Sequence, residues 1–184
     1  MDSYGKIRII GGKWRGRKLK VISAPGLRPT PDRIRETLFN WLQEKIVGAR
    51  CLDLFSGTGA LAFEALSRGA SEVIMVESNP KTAKSLKETA KDLDSDRHRI
   101  ECFDVLSWPK NDLKNFDIIF IDPPFGCGYV EKCCHIIIEQ ALLKVNGMVY
   151  IESEKNISIP LLFKVNKMTQ TEQVQSTLVE FDQE

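Results

Sequence analysis

The chain has 184 residues, of which 42% are apolar and 28% charged, and its net charge is +1. A length of this order suits one domain with its own core, and no apolar run approaches the ~20 residues that a membrane-spanning helix needs. Met1 to Lys6 lacks the charged-then-apolar order of a secretion signal, so a cytosolic address is the expectation.

The near-neutral total hides an uneven spread. Residues 1–35 hold ten Lys/Arg against two acids, while the remainder holds 16 against 23. A basic arm with Trp14 and glycines between its charges fits a phosphate backbone better than a merely solvated stretch. Residues 7–22 within it read as a short β-hairpin. Ile7, Ile9, Leu19 and Val21 alternate there, and Gly11, Gly12 and Gly16 free the turn. Thr30 as N-cap and Pro31 at the first helical position predict a helix to about Glu44, with Ile34, Leu38, Trp41 and Leu42 on one face. Residues 1–45 are expected to form this hairpin-and-helix extension, and residues 46–184 the main domain.

From Arg50 onward strands alternate with helices. Strands are expected at 51–55, 72–77, 99–103, 116–121 and 148–152, with helices near 60–68, 80–93 and 129–143. That alternation predicts an α/β fold whose parallel sheet is covered on both faces. Two more strands, 161–165 and 173–181, have no helix between them. They can close the sheet as a hairpin with one antiparallel strand.

Leu52 to Ala62 leaves a strand, passes Gly57 and Gly59, and opens a helix. Glycines there allow a sharp turn and close backbone approach to a ligand. The G-x-G-x-x-A spacing alone also fits a dinucleotide fold. Asp53, just before the glycines, would repel a pyrophosphate but pair with the amino group of a methionine moiety. Glu77 ends the next strand and can accept from ribose hydroxyls. Asp104 follows the third strand and can accept from an adenine amine. Each acid alone reads equally well as a turn or cap residue. Three in register at successive strand ends line the crevice where open α/β sheets bind ligands.

Asp122-Pro123-Pro124-Phe125 follows the fourth main-domain strand. An aromatic amine is a poor nucleophile because its lone pair is delocalised into the ring. The Asp122 carboxylate and the Pro123 carbonyl are acceptors that would draw its N–H bonds and free that lone pair. Neither proline has an N–H, so the turn is short of donors and selects a substrate that donates. Phe125 offers a flat face on which a base can stack. Methyl transfer from a sulfonium then needs positioning more than a strong base. Cys127 lies near, but no neighbouring base is visible to activate it. The five cysteines form no C-x-x-C pair and have no histidine at ligand spacing, which favours reduced thiols and no metal.

Ile7 to Gly12, Trp14 to Arg17, Leu27 to Thr30 and Asp32 to Leu42 resemble the N-terminal signature of the small-subunit (16S) ribosomal RNA guanine-N2 methyltransferase D family. Cys51 to Gly69 and Asp122 to Phe125 resemble its cofactor and catalytic motifs, and the likeness fades after Ser153. The resemblance implies a Rossmann-like S-adenosylmethionine-dependent methyltransferase fold with a mostly parallel seven-stranded sheet. It implies transfer to the N2 amine of one guanine in 16S ribosomal RNA, with the small ribosomal subunit as partner. Asp53, Gly57, Gly59, Glu77 and Asp104 would contact S-adenosylmethionine, and Asp122, Pro123 and Phe125 would carry the transfer. Phe55, Ser78 and Val105, beside those positions, are expected to complete the cofactor site, with Asp122 touching both ligands. Arg15, Arg17, Arg28 and Arg33 would meet RNA, and Thr30 and Arg35 would border the methionine end. A monomer is expected. The rival readings are an adenine-N6 DNA methyltransferase, which shares the tetrapeptide, a non-catalytic RNA-binding assembly factor, and an NAD-dependent oxidoreductase.

Overall fold

The computed structural model describes residues 7–21, 31–108, 113–155, 157, 159–160 and 162–181. Its elements run α1 (Asp32–Trp41), β1 (Arg50–Asp53), α2 (Ala60–Ser67), β2 (Glu72–Val76), α3 (Pro80–Asp92), β3 (His98–Glu101), β4 (Phe116–Ile121), α4 (Tyr129–Glu139), β5 (Leu143–Ser153), β6 (Phe163–Gln170) and β7 (Gln175–Phe181). Seven strands form one sheet in the order β3-β2-β1-β4-β5-β7-β6. The sheet is mixed. β1 to β5 are parallel, and β7 pairs antiparallel with both β5 and β6. The two strands without a helix between them thus form the expected closing hairpin.

The central strands are apolar at nearly every position, as burial on both faces requires. Alternate residues sort cleanly by face. Cys51, Val73, Met75, Ile118, Phe120 and Tyr150 join the core under α1, α2 and α3. Leu52, Ile74, Val76, Ile119, Ile121 and Val149 join the core under α4. Helices therefore cover both faces. Among the described residues, no helix is long and apolar enough to cross a membrane.

Several boundaries depart from the periodicity. α1 starts at Asp32 with Pro31 outside it as the N-cap, and Thr30 lies outside the described residues. The helix expected over 129–143 stops at Glu139, and Ala141 takes a left-handed φ of 49°. β5 then begins at Leu143, five residues before the expected start. The apolar residues of 136–143 satisfy a helix or a strand equally, so spacing alone does not find that junction.

The N-terminal hairpin is narrower than its alternation suggests. Arg8 and Lys18 form one isolated antiparallel bridge, with further backbone bonds from Ile9 N to Arg17 O (2.9 Å) and Leu19 N to Ile7 O (2.9 Å). Its turn leaves the ladder to grip the C-terminal end of α2. Lys13 N donates to Ser67 O (2.8 Å) and Trp14 N to Ser67 Oγ (2.9 Å). Gly12 has φ +74°, and a Cβ there would lie 1.9 Å from Ser67 O, so only glycine permits this contact. Ile7, Ile9, Trp14 and Leu19 are buried in the same core as α1 to α3.

A charged pin completes that attachment. Glu64 of α2 is fully buried, and its carboxylate accepts from Ile10 N (2.7 Å), Gly11 N (2.8 Å) and Arg68 Nε (2.7 Å). Arg35 of α1, also fully buried, stands 3.8 Å from it and donates to Asp32 Oδ1 (2.6 Å) and Arg8 O (3.0 Å). Glu64 sits in the run Ala60-Leu61-Ala62-Phe63-Glu64-Ala65-Leu66-Ser67, where a lone acid reads as the solvent-facing position. Its backbone partners Ile10 and Gly11 lie more than 50 residues away, and the i,i+4 pair with Arg68 by itself reads as a surface contact.

Candidate active site

The carboxyl ends of β1, β2, β4 and β5 open onto one cavity of about 920 Å³. Parallel strands whose helices diverge to either side leave this crevice at the sheet edge. Asp53, Phe55, Gly57, Glu77, Ser78, Asp104, Val105, Asp122, Pro123 and Phe125 all line it. Of the residues expected at the cofactor or the reacting amine, Gly59 and Arg35 are not in the lining, and Thr30 lies outside the described residues.

Gly59 acts from behind. It has φ +78° and caps α2, and a Cβ would meet the Phe63 ring at 2.5 Å and Leu86 Cδ2 at 2.8 Å. The turn it closes is tight, with Gly59 N donating to Ser56 O at 2.6 Å. Glu77 holds the other side of that turn. Its Oε2 accepts from Gly57 N (2.9 Å) and its Oε1 from Asn79 N (2.8 Å). A carboxylate oxygen accepts more than one bond, so both keep capacity towards the cavity. Asp104 serves two purposes as well: its Oδ1 accepts from Leu106 N (2.9 Å) and caps the short 3-10 turn Val105–Ser107.

Asp53 is 1% exposed. Burial pushes its carboxyl up to about 7, the nearby Glu77 charge adds to the rise, and the Phe55 N–H pulls the other way. A carboxylate so placed is paid for by a cation or not ionised at all.

The walls include residues that no motif marked. Tyr129 opens α4 and stacks on Phe55, with ring centroids 5.9 Å apart and planes at 11°. Pro31 and Ile34 bring the start of α1 to the rim. Glu152 at the end of β5 and the turn 171–174 between β6 and β7 close the far side. On the near lip, Phe125 is 38% exposed, and Gly126 N donates to Glu154 Oε1 (3.0 Å), tying its turn to the end of β5.

The lining is one-sided in charge. Asp53, Glu77, Asp104, Asp122, Glu152 and Glu172 face the cavity, and the described lining contains no Lys, Arg or His. A pyrophosphate meets repulsion there without a compensating cation. A ligand with an ammonium, a sulfonium, hydroxyls and amines fits.

Two of the expected nucleic-acid arginines lie away from this mouth. Arg15 and Arg17 lie on the turn bound to the C-terminal end of α2, and Arg17 Nη2 donates to Asp92 O (2.6 Å) at the end of α3. Helices after parallel strands end at the opposite edge of the sheet from the cavity. For the eight residues of α2 that is about 12 Å of rise. Basic groups at helix C-termini are attracted by the exposed carbonyls, which accounts for part of the arm's charge without RNA. Arg33 is exposed on the first turn of α1, between the cavity residues Pro31 and Ile34. Arg28 lies outside the described residues. Arg35 is not among the lining residues; it is spent on the pin to Glu64.

A family model described as "conserved hypothetical protein 95" matches residues 7–182. The ribosomal RNA small subunit methyltransferase D of Haemophilus influenzae is 43% identical over 160 residues, covering 84% of this chain and 82% of the relative. The protein of the same name from Escherichia coli K12 is 42% identical over 156 residues, covering 85% and 79%. A solved structure from Escherichia coli, described as a candidate methyltransferase, is 35% identical and matches with a TM-score of 0.89 over 98% of this chain and 100% of its own.

Proposed function

The chain belongs to the ribosomal RNA small subunit methyltransferase D family, and from that premise we propose that it transfers a methyl group from S-adenosylmethionine to the exocyclic N2 amine of a guanine in 16S ribosomal RNA. The observation that carries this reading is the cavity lined, among the described residues, by six carboxyl groups and no basic side chain, with the Asp122-Pro123-Pro124-Phe125 turn in its wall.

Asp53 would hold the ammonium of the methionine moiety, and Glu77 the ribose hydroxyls. Asp104 would accept from the adenine amine, with Phe103 and Val105 as apolar neighbours in the lining. The bound cofactor supplies an electrophilic methyl on a sulfonium. Asp122 and the Pro123 carbonyl accept the two N–H bonds of the target amine, which turns its lone pair towards the methyl. Phe125, apolar and partly exposed at the lip, holds the flipped base by its face. The proton lost on transfer leaves through Asp122 or water. Arg33, beside the mouth, contacts the RNA backbone, Arg15 and Arg17 supply more distant phosphate contacts, and Arg28 supplies another. The substrate is the RNA within the small subunit, and the enzyme acts as a cytoplasmic monomer.

The test is incubation with methyl-tritiated S-adenosylmethionine and small subunits lacking the modification, followed by digestion to nucleosides. Label in N2-methylguanosine is expected. Label in N6-methyladenosine would move the assignment to adenine, and no label on RNA or subunits would refute it.

A further inference from the structure

Glu152 belongs to none of the motifs above, yet it sits beside the transfer turn. Ile121 of β4 is in register with Ile151 of β5, so Asp122 and Glu152 leave neighbouring strands at the same level. Phe120 and Tyr150, two positions earlier on each strand, lie in one core, which puts Asp122 and Glu152 on that same sheet face. Glu152 lines the cavity although only 4% exposed. Tyr150 donates its hydroxyl to Glu152 Oε2 (2.9 Å), and Ser176 Oγ, opposite Glu152 on β7, lies 3.1 Å from that hydroxyl. Burial, together with the charges of Glu152 and Asp122, keeps the Tyr150 proton on. A buried carboxylate at the cavity wall is thus held in one orientation by a permanent donor.

Two carboxylates side by side call for two donors side by side. The pairing edge of guanine has them, N1–H next to N2–H. Adenine presents one amine beside the N1 lone pair, which a second carboxylate repels. We propose that Glu152 selects guanine by accepting its N1–H while Asp122 accepts from the adjacent N2 amine. This rests on the amine-transfer reading above and adds to it the residue that tells the bases apart.

The experiment uses 16S RNA rejoined by splint ligation and assembled into subunits. It carries either guanine or 2,6-diaminopurine at the position the wild-type enzyme labels. Diaminopurine keeps the 2-amine but replaces N1–H with a lone pair. The wild type is expected to methylate guanine about 10- to 100-fold faster, the range for one mismatched base edge. Glu152→Gln, whose amide also donates, should slow the guanine reaction and bring the ratio near unity. Its affinity for S-adenosylhomocysteine should stay within about twofold of wild type. If that variant does not fold, as judged by melting, Tyr150→Phe should narrow the ratio by releasing the carboxylate. Equal wild-type rates on both bases would overturn the role of Glu152 and leave amine transfer standing. So would a variant that slows both reactions by one factor, since that is what a structural role does. No label on the guanine subunit would bring down both readings.

Discussion

Lowering the pH from about 7.5 to about 5.5 interrogates Asp53 with no mutation at all. Its carboxyl titrates at about 7 in the free protein, because it is buried beside Glu77. If it receives the cofactor's ammonium, only its ionised form binds well. Affinity then falls tenfold for each pH step below 7, reaching about 30-fold at pH 5.5, or about 2 kcal/mol. The ligand's ammonium loses its proton at higher pH than Asp53, so affinity should peak above about 7 and fall again once that ammonium is neutral. Calorimetry with S-adenosylhomocysteine in buffers of different ionisation enthalpy reads both effects. At about pH 6, roughly 0.9 proton should be released per ligand bound. The same carboxyl also taxes the fold. Its value is raised above the ordinary 3.8, so the native state holds a proton that the unfolded chain has lost. Stability from this group is fully present below about pH 4 and declines until about pH 7, with a full penalty on the order of 4 kcal/mol at pH 8. Asp53→Asn should therefore melt higher than wild type at pH 8 while losing cofactor binding. A dissociation constant flat across this pH range, or the same slope in Asp53→Asn, would refute the assignment.

Other outcomes follow from the same geometry. Asp122→Ala should lower kcat by at least about 100-fold in the tritium assay while the affinity for S-adenosylhomocysteine changes by less than about fivefold, because its work is on the amine. Glu64→Ala should cost about 3–5 kcal/mol in a urea melt, since it leaves two backbone N–H groups without their acceptor and removes one of the two carboxylates beside the buried Arg35 guanidinium. Gly59→Ala forces a Cβ against Phe63 and Leu86 at a positive φ, and should cost about 1–3 kcal/mol together with most of the cofactor affinity. Arg33→Ala should weaken subunit binding and flatten its salt dependence by about one counterion without touching cofactor affinity; an unchanged salt slope would remove Arg33 from the interface.

How much of this was legible depended on whether the chemistry is local. The glycine turn and the Asp-Pro-Pro-Phe turn are contiguous, and each follows a strand recognisable by its apolar run. Their convergence on one crevice followed from the α/β alternation. Glu64 and Arg35 were out of reach because their local partners, Arg68 and Asp32, read as surface pairs, while what buries them is each other and the backbone of residues 8–11. Glu152 reads as an ordinary strand terminus until β4 and β5 are placed in register. Charge density suggests RNA for the whole arm but does not announce that Arg17 also binds the end of α3. Composition counts charges without saying which are already neutralised by a neighbour.

The reversal of β7 has a consequence beyond sheet closure. β7 starts where β5 ends, so the connection from β6 arrives at the reactive rim rather than below it. Residues 171–174 thereby become a wall of the cavity that belongs to neither the glycine turn nor the transfer turn. Hairpin tips tolerate changes of length and side chain better than strand interiors. Homologous enzymes can therefore reshape the rim to suit a different RNA loop by editing that tip, leaving the methyl-donor side untouched.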